Sequence, residues 1–334
     1  MTALAQLPLV TLYLTDRCNS RCVTCDYWRH GRANVTVESV ERLLPDLARL
    51  QTRVALLSGG EPLMHPDWQR IAGLLRNAGI RPWLLTSGLS LAKHAREAAA
   101  LCESITVSLD GTNDLTYRAI RGLDAYDKVC EGVRRAAERG NAASLRVTLQ
   151  KRNYRELPAF VRRARELGAR RISFLAVDVS NPHAFARESP FTEDLALDAS
   201  DLATFNSLID EMEVEFAAEF ASHFIAESPA KLRRIGSYFA GLLALGEFPS
   251  VRCNAPEFSA VVGVDGQVAP CFFIAGTAGA NARLAGLDAA LNSEGMKSLR
   301  ASIRAGERHE CRRCVCSMWR EPGETFEFAP RRTA

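Results

Sequence analysis

From Leu9 to Val177 the chain alternates short β-branched runs with amphipathic stretches of helical period, and this alternation constrains the fold more than any other feature. Strands are predicted at residues 9–14, 53–57, 82–85, 104–109, 144–150 and 171–177. Helices are predicted between them, near 37–50, 68–77, 92–101, 126–139 and 154–167. Thr36 stands where an N-cap belongs, and Gly79, Gly140 and Gly168 stand just past helix ends. Repeated β–α units require right-handed crossovers and a parallel sheet. Six units are too few for a closed eight-fold barrel, so an open six-unit barrel or a doubly wound sheet fits the count.

Beyond residue 178 the pattern changes. Residues 180–190 read as a loop. Residues 198–245 read as helix, broken at Ser228–Pro229, with Leu202, Phe205, Leu208, Ile209 and Met212 on one apolar face. After Cys253 the chain turns β-like over 259–264 and 267–270, and Asp265–Gly266 between them is a hairpin signal. A helix is predicted over 287–303. The last residues, 330–334, read as a disordered tail.

Composition narrows the function classes. The 334 residues are 47% hydrophobic, enough for a large core. Lys and Arg number 42 against 39 Asp and Glu, and the charges are interspersed, so nothing asks for a nucleic-acid or membrane-surface partner. The most basic stretch, 162–171, reads as a solvated helix face. No basic segment leads into an apolar core at the N-terminus, and no apolar run approaches the ~18 residues of a membrane span. A cytoplasmic protein is expected. Ten cysteines are many for such a chain, and in a reducing compartment clustered cysteines bind metal more often than they pair. Cys18, Cys22 and Cys25 cluster near one end, and Cys253, Cys271, Cys311, Cys314 and Cys316 near the other. Cys102 and Cys130 stand alone and read as small buried hydrophobes.

The run Cys18-Asn-Ser-Arg-Cys22-Val-Thr-Cys25 follows the first predicted strand directly. Functional loops of parallel α/β folds lie at the C-terminal ends of strands. Cubane clusters take four cysteines as a rule, so a three-cysteine loop leaves one iron open. Zinc is the competing occupant, with His30 as a fourth ligand. Three further motifs follow at successive strand ends: Gly59-Gly60-Glu61-Pro62, then Thr86-Ser87-Gly88, then Ser108-Leu109-Asp110-Gly111.

These four motifs in this order resemble the radical S-adenosylmethionine (SAM) superfamily over residues 9–177. One departure is Thr24, where many relatives carry an aromatic residue before the third cysteine; here Tyr27 and Trp28 come just after it. The resemblance implies a partial (βα)6 barrel over 1–178. It implies that Cys18, Cys22 and Cys25 hold a 4Fe–4S cluster whose open iron chelates the amino and carboxylate groups of SAM. It places SAM near Tyr27, Gly59, Gly60, Glu61, Ser87, Ser108 and Asp110, with Thr148, Gln150 and Asn153 as further candidates. Reductive cleavage of SAM would give methionine and a 5′-deoxyadenosyl radical that abstracts a hydrogen atom from substrate, with an external flavodoxin or ferredoxin as electron donor.

The second cysteine set has the layout of a closed site: Cys253, a hairpin returning to Cys271 five residues after Gly266, a helix, then Cys311-Arg-Arg-Cys314. Structural zinc could use the same four thiols. The layout resembles the twitch and SPASM extensions of radical SAM enzymes, which implies a helical connector over 179–252, a small hairpin-and-helix domain over 253–334 and an auxiliary 4Fe–4S cluster. Cys316 is an alternative ligand, a hydrogen donor or a bystander. Polar residues expected near the barrel mouth are Asp178, His183, His223 and Tyr238. The expected activity is oxidation of a small biosynthetic metabolite. The alternatives are redox-neutral epimerisation or rearrangement, and peptide modification; a zinc-stabilised binding protein leaves Gly59–Pro62 unexplained. Eight residues before the first strand leave no room for a precursor-binding domain within this chain, which favours the small molecule. The sequence names no catalytic residue and no substrate.

Overall fold

The computed structural model describes residues 3–29, 31–181, 184–187 and 194–321. Six parallel strands, β1 (Leu9–Thr15), β2 (Val54–Gly59), β3 (Arg81–Thr86), β4 (Ser104–Ser108), β5 (Ser144–Leu149) and β6 (Ile172–Ala176), pair in chain order. Between them run α1 (Val37–Arg49), α2 (Trp68–Asn77), α3 (Leu91–Leu101), α4 (Asp114–Arg121), α5 (Tyr126–Glu138) and α6 (Leu157–Glu166). Strand alternation sorts the side chains. Val10, Leu12 and Leu14, like Val147 and Leu149, join the core beneath the helices, while Thr11, Tyr13 and Thr15 take the opposite face. Cys102 and Cys130 are buried apolar packing, at 0% and 2% exposure.

The end signals work as the residue types require. Thr36 accepts the Ser39 N–H at 3.1 Å, and Gly79, Gly140 and Gly168 have φ of 75°, 77° and 67°. The short helix α4 is absent from the sequence-based expectation. It is closed at both ends, by the Asn113 side chain accepting from Thr116 N–H and by Gly122 in the left-handed region.

The connector is α7 (Ala199–Glu215), α8 (Ala217–Ala221) and α9 (Pro229–Leu242). Phe205, Ile209 and Met212 bury the expected face. Between α8 and α9 the chain leaves helix earlier than expected, because it closes the sheet edge. Ile225 bridges Ile172, and the Glu227 carboxylate accepts Phe174 N–H at 2.8 Å. The basic stretch is paired as well as solvated: Arg162 meets Glu215, and Arg165 meets Glu219.

The hairpin of β7 (Ser259–Val262) and β8 (Val268–Ala269) does not stand apart. β7 pairs parallel with β1, Leu9 opposite Ser259 and Leu12 opposite Val262, giving one eight-stranded sheet in the order β6-β5-β4-β3-β2-β1-β7-β8. The helix expected over 287–303 is two, α11 (Leu287–Leu291) and α12 (Glu294–Arg304), flanked by short α10 (Ala282–Ala285) and α13 (His309–Arg312). Ser293 breaks it by capping Met296 N–H. His30, His183 and the 330–334 tail lie outside the described residues, as does part of the 180–190 loop.

Candidate functional site

The first cysteine loop leaves β1 through Thr15, whose hydroxyl accepts the Arg17 N–H at 3.0 Å. It then lies directly on Gly59 and Gly60. Gly60 N–H donates to Thr15 O at 2.8 Å and Glu61 N–H to Arg17 O at 2.7 Å. A Cβ on Gly59 would stand 2.5 Å from Thr15 O, and one on Gly60 2.3 Å from Arg17 O. The two glycines are the seat of the loop. On its other side Gly122 does the same, since a Cβ there would stand 2.4 Å from Arg21 O, and Arg21 and Val23 donate their N–H groups to Arg121 O and Ile120 O.

Glu61 is fully buried. Its carboxylate accepts Leu63 N–H, the Thr86 hydroxyl at 2.7 Å and Ser87 N–H at 2.6 Å, so it ties the second and third strand ends together. The Ser87 hydroxyl reaches Asn19, between the first two cysteines, at 3.3 Å. Asp110 differs from the expected cofactor contact. Its Oδ2 pairs with Arg121 at 2.8 Å and its Oδ1 accepts Thr148 N–H at 2.7 Å, while Arg121 donates to Cys22 Sγ at 3.4 Å. Asp110 thus acts on the loop through Arg121. Burial works to lower the Arg121 pKa, but Asp110 and Cys22 overcome it and hold the guanidinium charged. Ser108 and Thr148 are half-buried on the strand ends. Asn153 is consumed locally, bonding Gln150 N–H, Asp110 O and Thr148 O. The Gln150 carboxamide is buried with no partner among the described residues.

In the C-terminal set, Cys271 lies within electrostatic reach of Cys253 and Cys311, Cys314 of Cys271 and Cys316, and Cys316 of Cys253. All five thiols therefore gather, including Cys316. Asp178 is in reach of Cys314 and accepts the N–H groups of Ser180 and Asn181. Tyr238 is beside it, accepting Val179 N–H at 3.4 Å. His223 is elsewhere: it is exposed, next to Phe224, whose carbonyl pairs with Ile172 at the far end of β6. The segment after β6 ties the two sets together. Asn181 donates to Phe273 O at 2.6 Å, Asp26 N–H to Phe185 O at 3.0 Å, and Phe185 meets Phe273 edge-on at 5.9 Å.

Four of the sulfurs share one hydrogen-bonding pattern. Cys18, Cys25, Cys271 and Cys314 each accept the backbone N–H two residues on, from Ser20, Tyr27, Phe273 and Cys316. Backbone N–H groups donating to cysteine sulfur stabilise the thiolate and help set the potential of an iron–sulfur cluster bound there. Burial pushes the Cys18 thiol up to about 11 and Cys25 and Cys271 to about 12, a cost that a cationic core offsets. Among the described residues no three His, Cys, Asp or Glu side chains close on a point as the ligands of one ion do. The donor sets fit four-iron clusters.

Arg121 and Tyr13 are the residues that sequence reasoning missed. Arg121 sits on the unrecognised α4, although Asn113 and Gly122 bracket that helix. Tyr13, on β1, meets Tyr27 edge-on with ring centroids 5.6 Å apart and Phe272 at 6.5 Å. Burial pushes its hydroxyl up to about 12, and thiols of both sets, Cys25 and Cys271, add to the shift.

Comparison with known proteins agrees with this arrangement. The radical SAM superfamily model matches residues 12–164, and a SPASM iron–sulfur cluster-binding domain matches 253–315. The Fe-coproporphyrin III synthase of Methanosarcina barkeri is 32% identical over 207 residues, covering 58% of this chain and 49% of the synthase. The AdoMet-dependent heme synthase of the same organism is 31% identical, covering 51% and 50%. The chain thus spans about half the length of these two relatives. A probable GTP 3′,8-cyclase of Methanococcus maripaludis is 26% identical and covered over 80% of its length. Streptococcus suis SuiB bound to S-adenosylmethionine shares the fold, with TM-score 0.67, 14% identity and coverage of 94% of this chain and 73% of SuiB. The two matched domains bring a SAM-binding 4Fe–4S cluster and auxiliary iron–sulfur as cofactors. With its parallel sheet, its cysteine loop seated on Gly59–Gly60 and a second cysteine domain fastened to the same sheet, the chain belongs to the radical SAM superfamily and carries a C-terminal SPASM domain.

Proposed function

We propose that this chain is a radical SAM oxidoreductase that dehydrogenates a small polar metabolite and passes one of the two electrons removed to the C-terminal site. The observation that carries the reading is that the Tyr13 ring meets both Tyr27, two residues after Cys25, and Phe272, directly after Cys271. The bound cluster and SAM supply the 5′-deoxyadenosyl radical. Cys18, Cys22 and Cys25 hold the first cluster, and Arg121 keeps a positive charge at Cys22. Glu61 is engaged by three donors, so the backbone carbonyls of the Gly59–Glu61 turn receive the SAM ammonium. Ser87 and Ser108 stand at the ends of β3 and β4, and Tyr27 follows the third cysteine and packs on Tyr13. Cys253, Cys271, Cys311 and Cys314 hold the auxiliary cluster. A cavity of about 550 Å³, lined by Ser180, Asn181, Glu307, Arg308, His309, Glu310 and Arg313, lies beside Cys311 and favours a polar substrate. An external flavodoxin- or ferredoxin-type protein supplies the reducing electron.

Redox-neutral chemistry is the second reading, and Cys316 favours it. This fifth thiol lies one residue beyond the SPASM match and within reach of Arg146 and Lys231. Incubation with a panel of C-deuterated metabolites separates the two. Dehydrogenation moves deuterium into 5′-deoxyadenosine and releases a product lighter by two hydrogens. A product that differs from its substrate only by hydrogen in place of that deuterium, lost in Cys316→Ala at full iron content, would replace oxidation by epimerisation.

A further inference from the structure

Three aromatic rings run from one cysteine set to the other. Tyr27 stands two residues after Cys25, and Phe272 stands directly after Cys271. Tyr13 is wedged between them, perpendicular to Tyr27 at 5.6 Å and tilted by 33° to Phe272 at 6.5 Å. Both separations lie in the range of ring pairs in contact. Packing alone does not ask for a ring here, because the neighbouring positions on this face of β1 are Thr11 and Thr15. The parallel pairing of β7 with β1 fixes the geometry, since the strand carrying Tyr13 is hydrogen-bonded to the first strand of the hairpin that leads to Cys271.

We propose that Tyr13 is the bridging residue between the two iron–sulfur sites, its ring contacts with Tyr27 and Phe272 forming the path along which an electron passes between the cluster at Cys25 and the cluster at Cys271. One electron leaves the reduced cluster and reduces the other. No bond forms or breaks, and the phenol keeps its proton. The idea rests on the two-cluster reading above and gives that reading a route.

The test uses anaerobically loaded full-length protein, reduced by a light-triggered pulse and freeze-quenched for EPR, which follows each reduced cluster separately. Tyr13→Phe keeps both ring contacts and should equilibrate like wild type. Tyr13→Leu should slow equilibration at least about tenfold, ~1.4 kcal/mol in barrier, at unchanged iron content and unchanged magnetic coupling between the clusters. Equilibration at the wild-type rate in fully loaded Tyr13→Leu would overturn the proposal. Should Tyr13→Leu lose iron, Phe272→Leu cuts the same path at its other end and is judged by the same rate. A wild-type protein holding only one cluster would instead overturn the reading on which the path rests.

Discussion

Arg121 and Asp110 show how much of the first site is held by residues behind the cysteines. Their side chains are 11% and 3% exposed, and their contact is 2.8 Å. Removing one partner of a buried pair strands the other charge and costs about 3–5 kcal/mol, whereas replacing both by apolar residues is often close to neutral. Arg121→Leu should therefore destabilise the protein by about that amount, while Asp110→Leu/Arg121→Leu recovers most of it, as urea denaturation of the two variants would measure. Both should load the first cluster poorly, because Cys22 loses its donor in each. Equal iron loading in the double variant and wild type would show that Arg121 serves folding alone. The sequence made Asp110 visible as a motif residue but hid its role, since its partner stands eleven positions on in a helix too short to leave a clear period.

The elements repeat that lesson. Residue periodicity located all six barrel strands within two residues of their observed ends, because burial on one face leaves a pattern in the chain. It did not reveal that β7 pairs with β1, since pairing between strands far apart in sequence leaves no local trace. Nor did it separate α11 from α12, where the Ser293 cap interrupts a continuing apolar pattern. The glycine turn was legible as a motif, and its physical demand became visible only with the cysteine loop lying on it. Gly60→Ala should push the loop off its seat at a cost of about 2–3 kcal/mol, read as a lower thermal midpoint and slower SAM cleavage. Gly246→Ala is the control, because a Cβ there meets nothing within 4 Å. Equal losses in the two variants would contradict the close approach of the Gly60 turn to Arg17 O.

At the scale of the whole molecule, the two cysteine sets are separated by more than two hundred residues, yet the sheet brings the neighbours of both, Tyr27 and Phe272, against Tyr13. Metal sites assembled from separate segments load independently where the fold survives. Cys271→Ala/Cys314→Ala should halve an iron content of about eight per chain while SAM still perturbs the EPR signal of the remaining cluster. An unchanged iron content would place the second site on other residues, with Cys311 and Cys316 the first to examine. What the sequence left open at this scale was the substrate, because the polar cavity is lined by the segment after β6 and by α13 with the residues flanking it, which no single motif spans.

The most direct test of the account is the formation of 5′-deoxyadenosine from SAM by the reconstituted, anaerobically reduced protein. Wild type should produce it together with methionine, and Cys18→Ala/Cys22→Ala/Cys25→Ala should produce none while the C-terminal site keeps its iron. 5′-Deoxyadenosine formed by that triple variant, or none formed by fully loaded wild type, would contradict the assignment of the first cysteine loop.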